Sequence, residues 1–417
     1  MHILFLSSWF PYPPDNGSRL RVFNLIKHLS QEHTLTLLAF SHAGRVGEDR
    51  IRAMARYCAA VEAVPLPPFD PNSLRSIVGF LSCQPRSLVA RHSERMADLV
   101  GVTIEKHPFS LVIASEMTTV PYVAALAGVP KVFEDLELTV LREKYTSQLD
   151  VFHRLRYGLM WWKTARFVSH LLGRFDGCTV VSEQELDNVL AILPDCSNVA
   201  VIPNGVDLAS YGDDFGAPEP NTLIFPGALT YDVNFDAADF FLREVFPRIK
   251  ARLPDAVIRI TGRTDGVPIE LLPLDRGVVL TGYLDDVRPA IARSWACVVP
   301  LRLGSGTRLK ILEAMALGTP VITTRKGGEG LAVTHGEHLL IAEDAEDFAR
   351  CVVALLHNPD LRDRLSANGR RLVEARYAWA QIGNHFDRFL ADVVQDHSQA
   401  RPYRVRGQWE RSREVSR

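Results

Sequence analysis

Residues 304–324 read GSGTRLKILEAMALGTPVITT and set Arg308, Lys310 and Glu313 just after a glycine turn. Free backbone N–H groups at a helix start, the positive end of its dipole and two cations together suit a phosphate. Glu313, one to one and a half turns further in, suits hydroxyl groups. An anionic ligand that also carries hydroxyls, such as a sugar nucleotide, would use both features. The elements that hold these residues can be read locally. Residues 297–302 (CVVPLR) have strand character, and Gly304 and Gly306 cannot continue it. Thr307 is the expected N-cap of a helix reaching about 317, with Gly318 as its stop, Pro320 beyond and a strand at 321–324. Gly327 and Gly328 follow that strand, where their N–H groups can meet phosphates or a donor sugar.

A second set of residues offers acid–base chemistry. The EDLE run (Glu134, Asp135, Glu137) follows one apolar strand, and Glu116 follows another, LVIAS. Asp135 is the first candidate for the acid/base group, then Glu116, then Glu134. Helix-start carboxylates and solvated cations are common, so each of these charges also has a plain structural reading. Asp285 and Asp286, like the EDLE run, lack supporting ligand spacing, and no metal site is expected.

Around these residues the chain alternates short apolar runs with helical segments. Strands are expected at 2–7, 35–40, 61–64, 111–114, 131–133 and 177–181, with helical periods such as 20–29 and 50–58 between them. A second series occupies 222–225, 256–261, 278–281, 297–300, 321–323 and 338–341. Such alternation predicts α/β domains with parallel sheets covered on both faces. Residues 202–220 (IPNGVDLASYGDDFGAPEP) read as the linker between them. At 417 residues two domains are the natural division, and no fixed-period repeat is visible. A ligand is then expected in a cleft at the carboxyl ends of the strands. A dinucleotide oxidoreductase is disfavoured, because the first strand runs into SSWFPYPPDNGSRLR without G-x-G-x-x-G, and Gly304-Ser305-Gly306 lacks the third glycine.

Composition excludes other classes. Hydrophobic content of 47% with 23% charged residues is that of a soluble globular chain, and a net charge of −2 gives no reason to invoke nucleic acid. The six cysteines have no CxxC or Cys/His spacing and read as reduced thiols of a cytoplasmic protein. The opening MHILFLSSWF reads as a first strand rather than a signal peptide, and no apolar run reaches the length of a membrane span.

Taken in order, these motifs resemble the GT-B glycosyltransferases of the retaining glycosyltransferase family 4, which contains many bacterial cell-surface sugar transferases. The resemblance runs over nearly the whole chain: DNGSRLRVFNLIKHL, VVSEQELDNV, VIPNGVDL, PGALTYDVNFDA, RITGR, TGYLDDV, EAMALGTPVI and ARYAWAQIGNHFDRFL. It implies two Rossmann-like domains facing a cleft: an acceptor-side domain at 1–205 completed by about 376–398, and a nucleotide-sugar domain at 220–375. The final helix is expected to cross back onto the first domain. Glu313 matches the second carboxylate of the family's E-x7-E motif and is implied to bind the ribose, whereas Ser305 stands where the first Glu usually contacts the donor sugar. The usual Arg and Lys that grip the pyrophosphate are missing, since Ala228 and Leu229 follow Gly227 and the Lys position falls near Val233 and Asn234. Arg308 and Lys310 are the expected replacements, stabilising the leaving group. The resemblance further implies donor contacts at Gly262, Arg263, Gly282, Tyr283 and Gly306, and an approach to donor phosphates or acceptor at Gly17, flanked by Asn16 and Arg19. No bound cofactor is implied; a nucleotide-diphosphate sugar serves as co-substrate. A catalytically silent sugar-nucleotide-binding subunit, a GT-B epimerase or a phosphorylase remain as alternatives.

The resemblance implies a glycan or lipid-linked acceptor. Residues 152–175 form a helical stretch in which Arg156, Lys163, Arg166, His170 and Arg174 recur, with Leu155, Leu159, Trp162 and Leu172 on another stripe. A basic helix with aromatics can rest on an anionic bilayer, which would place the protein on the inner face of a membrane. The Arg-rich residues 399–417 are expected to be a disordered tail.

Overall fold

The computed structural model describes residues 1–399, apart from 43, 147–149, 195, 197 and 305. The chain divides into two compact units, Met1–Pro203 with the stretch from Gly383 onward, and Asn204–Ile382. The tail reading falls on residues that, beyond 399, lie outside this description.

The first unit is built on seven parallel strands: β1 (His2–Ser7), β2 (Thr34–Ser41), β3 (Ala60–Pro65), β4 (Leu111–Ser115), β5 (Lys131–Glu134), β6 (Gly177–Val180) and β7 (Val199–Val201). Their spatial order is β3-β2-β1-β4-β5-β6-β7. β1 is almost wholly buried because helices cover both faces of the sheet, which is why these strands read as unbroken apolar runs. β7 is a strand the sequence reading did not expect; three residues within a Pro- and Asn-rich neighbourhood carry almost no pattern.

The second unit has six parallel strands: β8 (Glu219–Pro226), β9 (Val257–Thr261), β10 (Val278–Gly282), β11 (Ser294–Val299), β12 (Val321–Thr324) and β13 (Leu340–Ala342). Their order, β10-β9-β8-β11-β12-β13, is the doubly wound arrangement in which order reverses between the first and fourth strands of the unit. β8 begins at Glu219, so the linker is shorter than expected and includes a 3-10 turn, Leu208–Tyr211.

The last helix, Trp379–Ser398, passes from the second unit into the first. In the first unit its Phe389 and Val393 side chains close on Gly177, where an added Cβ would lie 2.8 Å from each. A side chain at that point of β6 would push the helix off the sheet.

Candidate active site

In the second unit the candidate residues gather along the carboxyl edge of the sheet, where doubly wound folds hold ligands. β8 ends at Pro226 and turns through Gly227 (φ +154°) and Ala228 into the helix Asp232–Phe240. The Lys310 ammonium reaches this turn from the helix Leu309–Ala316. Its Nζ donates to Asn234 Oδ1 at 2.8 Å, lies 4.7 Å from the centre of the Phe225 ring, and would be 2.8 Å from a Cβ at Gly227. Lys310 therefore brings its charge to the turn where Ala228, Leu229 and Asn234 provide none. Burial pulls its pKa down to about 8, with Arg308 adding to the same direction.

Arg308 is buried and donates from Nη2 to the Gly304 carbonyl at 2.6 Å, closing the glycine turn over its own guanidinium. Gly304 and Gly306 both have φ near +87°, the left-handed region that favours glycine. One expectation fails here. The helix starts at Leu309 with Arg308 as its cap residue and no side-chain capping bond. Thr307 is still part of the turn and accepts instead from Asn204 Nδ2 at 3.3 Å. Ser305 lies outside the described residues.

Glu313 projects from the same helix and accepts from the Tyr211 hydroxyl at 3.2 Å. Burial raises the Glu313 carboxyl above the usual range, while Tyr211 and Lys310 oppose that shift. Tyr211 is raised by burial and then by Glu313 beside it. Tyr211 was not anticipated; it comes from the 3-10 turn of the linker, and nothing local marks it.

The remaining donor-side candidates occupy neighbouring strand ends. Gly262 (φ +111°) receives its neighbour so closely that a Cβ would lie 2.6 Å from the Ala228 backbone. Its N–H donates to the Gly282 carbonyl, and the Arg263 carbonyl accepts from Leu229 N–H. The Arg263 guanidinium lies over the exposed Tyr283 ring at 5.2 Å. Gly327 and Gly328 follow β12; a Cβ at Gly327 would meet the Thr323 hydroxyl and the Val299 carbonyl, so that glycine has a packing requirement of its own. The Gly328 N–H is engaged by the Thr324 carbonyl.

In the first unit the acid–base candidates form a separate cluster around the buried Glu134 and Arg21. β4 and β5 are paired with Ser115 opposite Glu134, so Glu116 and Asp135 leave adjacent strands side by side. Both adopt left-handed backbone, φ +64° and +63°. Glu134 is fully buried and accepts from Arg21 Nε and from Ser115 Oγ, each at 2.6 Å. Arg21 Nη1 also donates to the Ile202 carbonyl, and its Nε is 3.8 Å from Asp135 Oδ2. Glu116 accepts from Trp9 Nε1 at 3.1 Å. Gly17 opens the helix Gly17–Leu29 that carries Arg21, with Asn16 capping it through the Arg19 N–H.

Three carboxyls around one guanidinium cannot all be ionised at low cost. Burial, then Asp135, pushes Glu116 up to about 8. Asp135 is also raised, by burial first; Arg21 opposes and Glu134 reinforces that shift. Arg21, pulled down by burial, is held above its ordinary value by Glu134 and Asp135. This cluster can hold and exchange a proton near neutral pH. Arg21, Ser115 and Trp9 were missed from the sequence because their partners are far away in it. Among the described residues, no group of three or more His, Cys, Asp or Glu could hold a metal ion.

Comparison with known proteins adds a family context. The model for Glycosyltransferase Family 4 matches residues 16–210, and that for glycosyl transferases group 1 matches 220–358. The chain is 30% identical over 207 residues to a phosphatidyl-myo-inositol mannosyltransferase of Mycolicibacterium smegmatis, covering 47% of this chain and 53% of that protein. It spans about half the length of that relative. It is 22% identical over 386 residues to an uncharacterized 44.6 kDa protein in the cps region of Klebsiella pneumoniae, covering 90% and 96%. Among solved structures, Anabaena Alr3699/HepE in complex with UDP and glucose superposes with a TM-score of 0.65 at 16% identity, covering 93% of this chain and 99% of that one. That last likeness is one of fold.

Proposed function

The chain belongs to the glycosyltransferases of the GT-B fold, and on that premise we propose that it moves a sugar from a nucleoside-diphosphate sugar to a hydroxyl of a glycan or lipid-linked acceptor, with retention at the transferred carbon. The observation that carries this reading is the Lys310 ammonium seated against Gly227 and Asn234, beside the Arg308 turn. A departing diphosphate gains negative charge as the glycosidic bond breaks, and cations already in place stabilise that charge without reorganising. Lys310 and Arg308 fill this role. Glu313, steadied by Tyr211, accepts hydrogen bonds from ribose hydroxyls. The Glu116–Asp135 pair serves the acceptor side, where a carboxyl that exchanges its proton near neutral pH can assist the attacking hydroxyl. Synthesis of cell-surface polysaccharide or glycolipid, at the inner face of a membrane, is the setting this reading favours.

Titration of the purified chain with UDP and GDP, followed by a hydrolysis screen of their sugars, tests the assignment. The Arg308→Ala/Lys310→Ala variant is expected to lose about 100-fold or more in kcat/KM while still melting cooperatively. An unchanged kcat/KM would remove both residues from the chemistry. Absence of any nucleotide binding in the parent chain would remove the transferase reading.

A further inference from the structure

The first unit carries a face that its own core does not use. The helix Val151–Leu172 has only Val168, Leu171 and Leu172 buried, all in its last two turns. Phe152, Leu155, Leu159 and Trp162 are exposed at 82%, 66%, 54% and 56%. They recur at three or four residues, and the same stripe continues through Arg166 and His170. That face is mainly apolar over its first three turns, with the exposed Arg156 among its side chains, and carries Arg166 and His170 beyond. The sequence expectation of separate basic and apolar stripes is corrected here: Leu172 belongs to the core, and the other three share their stripe with the cations.

A second helix extends the apolar part. Leu74–Leu81 exposes Leu74, Ile77, Val78 and Phe80, and Lys163 of the long helix donates to the Phe80 carbonyl. Just beyond, Cys83 and Gln84 join Arg166, Phe167, His170 and Arg174 in lining a cavity of about 640 Å³. The Arg166 guanidinium lies 6.0 Å over the Trp162 ring, at the boundary between the apolar and cationic parts.

We propose that this face docks the protein on an anionic phospholipid bilayer, with the exposed apolar side chains of both helices at the acyl boundary, Arg154 and Arg156 reaching the headgroups beside them, and the cavity lined by Arg166 and Arg174 taking a phosphate-bearing headgroup. It deepens, and rests on, the placement of the acceptor at a membrane. Exposed apolar and tryptophan side chains interleaved with arginine and lysine along one helix are those of an interfacial helix on an anionic bilayer. Charge selects a bilayer over a second copy of the chain. The long helix has Arg154, Arg156, Lys163 and Arg166 and no Asp or Glu, so two such faces would repel each other. Asp70 and Glu94 are acids that flank the shorter helix, and Glu94 is paired with Arg75.

Flotation of the full chain with vesicles of phosphatidylcholine, alone or with phosphatidylglycerol, tests the docking. Binding should require the anionic lipid. Arg166→Gln/Arg174→Gln should weaken it about thirtyfold on anionic vesicles, since each cation near the surface contributes about fivefold. Leu155→Ser/Leu159→Ser should weaken it more than about tenfold on the same vesicles. All four positions are on the surface, and thermal melts confirm folding. Equal flotation with both lipids, or binding untouched by either variant, overturns the proposal. A dimer that the apolar variant dissolves, without flotation, assigns the face to a second copy and also overturns it. Nucleotide-sugar hydrolysis in the same samples separates the two readings: hydrolysis without flotation removes only the docking, and flotation without hydrolysis removes only the transferase.

Discussion

Glu116 and Asp135 are held in a backbone conformation that costs a non-glycine residue about 1–2 kcal/mol each. Two such residues side by side, both acidic and both half-buried, make a region whose backbone cost stability alone does not explain. The cost has a pH signature. Glu116 is raised from 4.5 to about 8, so between those values the folded chain holds a proton that the unfolded chain has released. Stability contributed by this group is present below that window and is lost as pH rises through it. Glu116→Gln should melt with a shallower decline from mildly acidic to mildly basic pH, and identical slopes in the two proteins would contradict the assignment. Lys310 has a different signature. With its pKa near 8, affinity for UDP should fall as pH rises past that point, and Lys310→Arg should move the fall to higher pH. A flat profile in the parent chain would place the ammonium away from the diphosphate.

The elements behind these residues were readable to different degrees. Strands such as β4 and β12 are short apolar runs bounded by turn residues, and their ends were legible to within a residue or two. Glu313 is singled out in the sequence by its motif, and Lys310 by its place near a helix start. What Lys310 touches is not. Asn234 lies 76 positions away, and only the sheet order that places β8 next to β11 brings them together. The left-handed backbone at Glu116 and Asp135 was equally hidden, because neither residue type requests it. Gly262 shows how tightly the strand ends are coupled. A Cβ there would lie 2.6 Å from the Ala228 backbone, in the turn that receives Lys310. Gly262→Ala should therefore displace that turn and weaken UDP binding by about tenfold or more, given the cost of overpacking. Calorimetric titration checks this, and unchanged affinity would show that the turn is not part of the nucleotide site.

At the scale of the molecule, the two units are joined by chain that leaves the first at Pro203 and returns to it at Gly383. Within the second unit these approaches are stitched together: Val206 N–H donates to the Tyr377 carbonyl at 2.8 Å, and Trp379 N–H donates to the Val206 carbonyl at 3.1 Å. Gly205 fits here because a Cβ would lie 2.4 Å from the Tyr377 carbonyl oxygen. Beyond the stitch, the final helix gives the first unit Phe386, Leu390 and Val393, all fully buried. His33 Nε2 lies 2.5 Å from Asp387, a further tie of that helix to the first unit. Three fully buried side chains contribute roughly 2 kcal/mol each, a sum comparable with the stability of a whole domain. A chain ending at Ile382 should therefore lose the cooperative melting transition of the first unit. The second unit keeps its sheet and core, so UDP titration should still report binding, and UDP should still raise the one remaining transition. Two intact transitions after truncation would show that the final helix is dispensable to the first unit. Loss of UDP binding together with the first transition would show that the second unit does not fold alone.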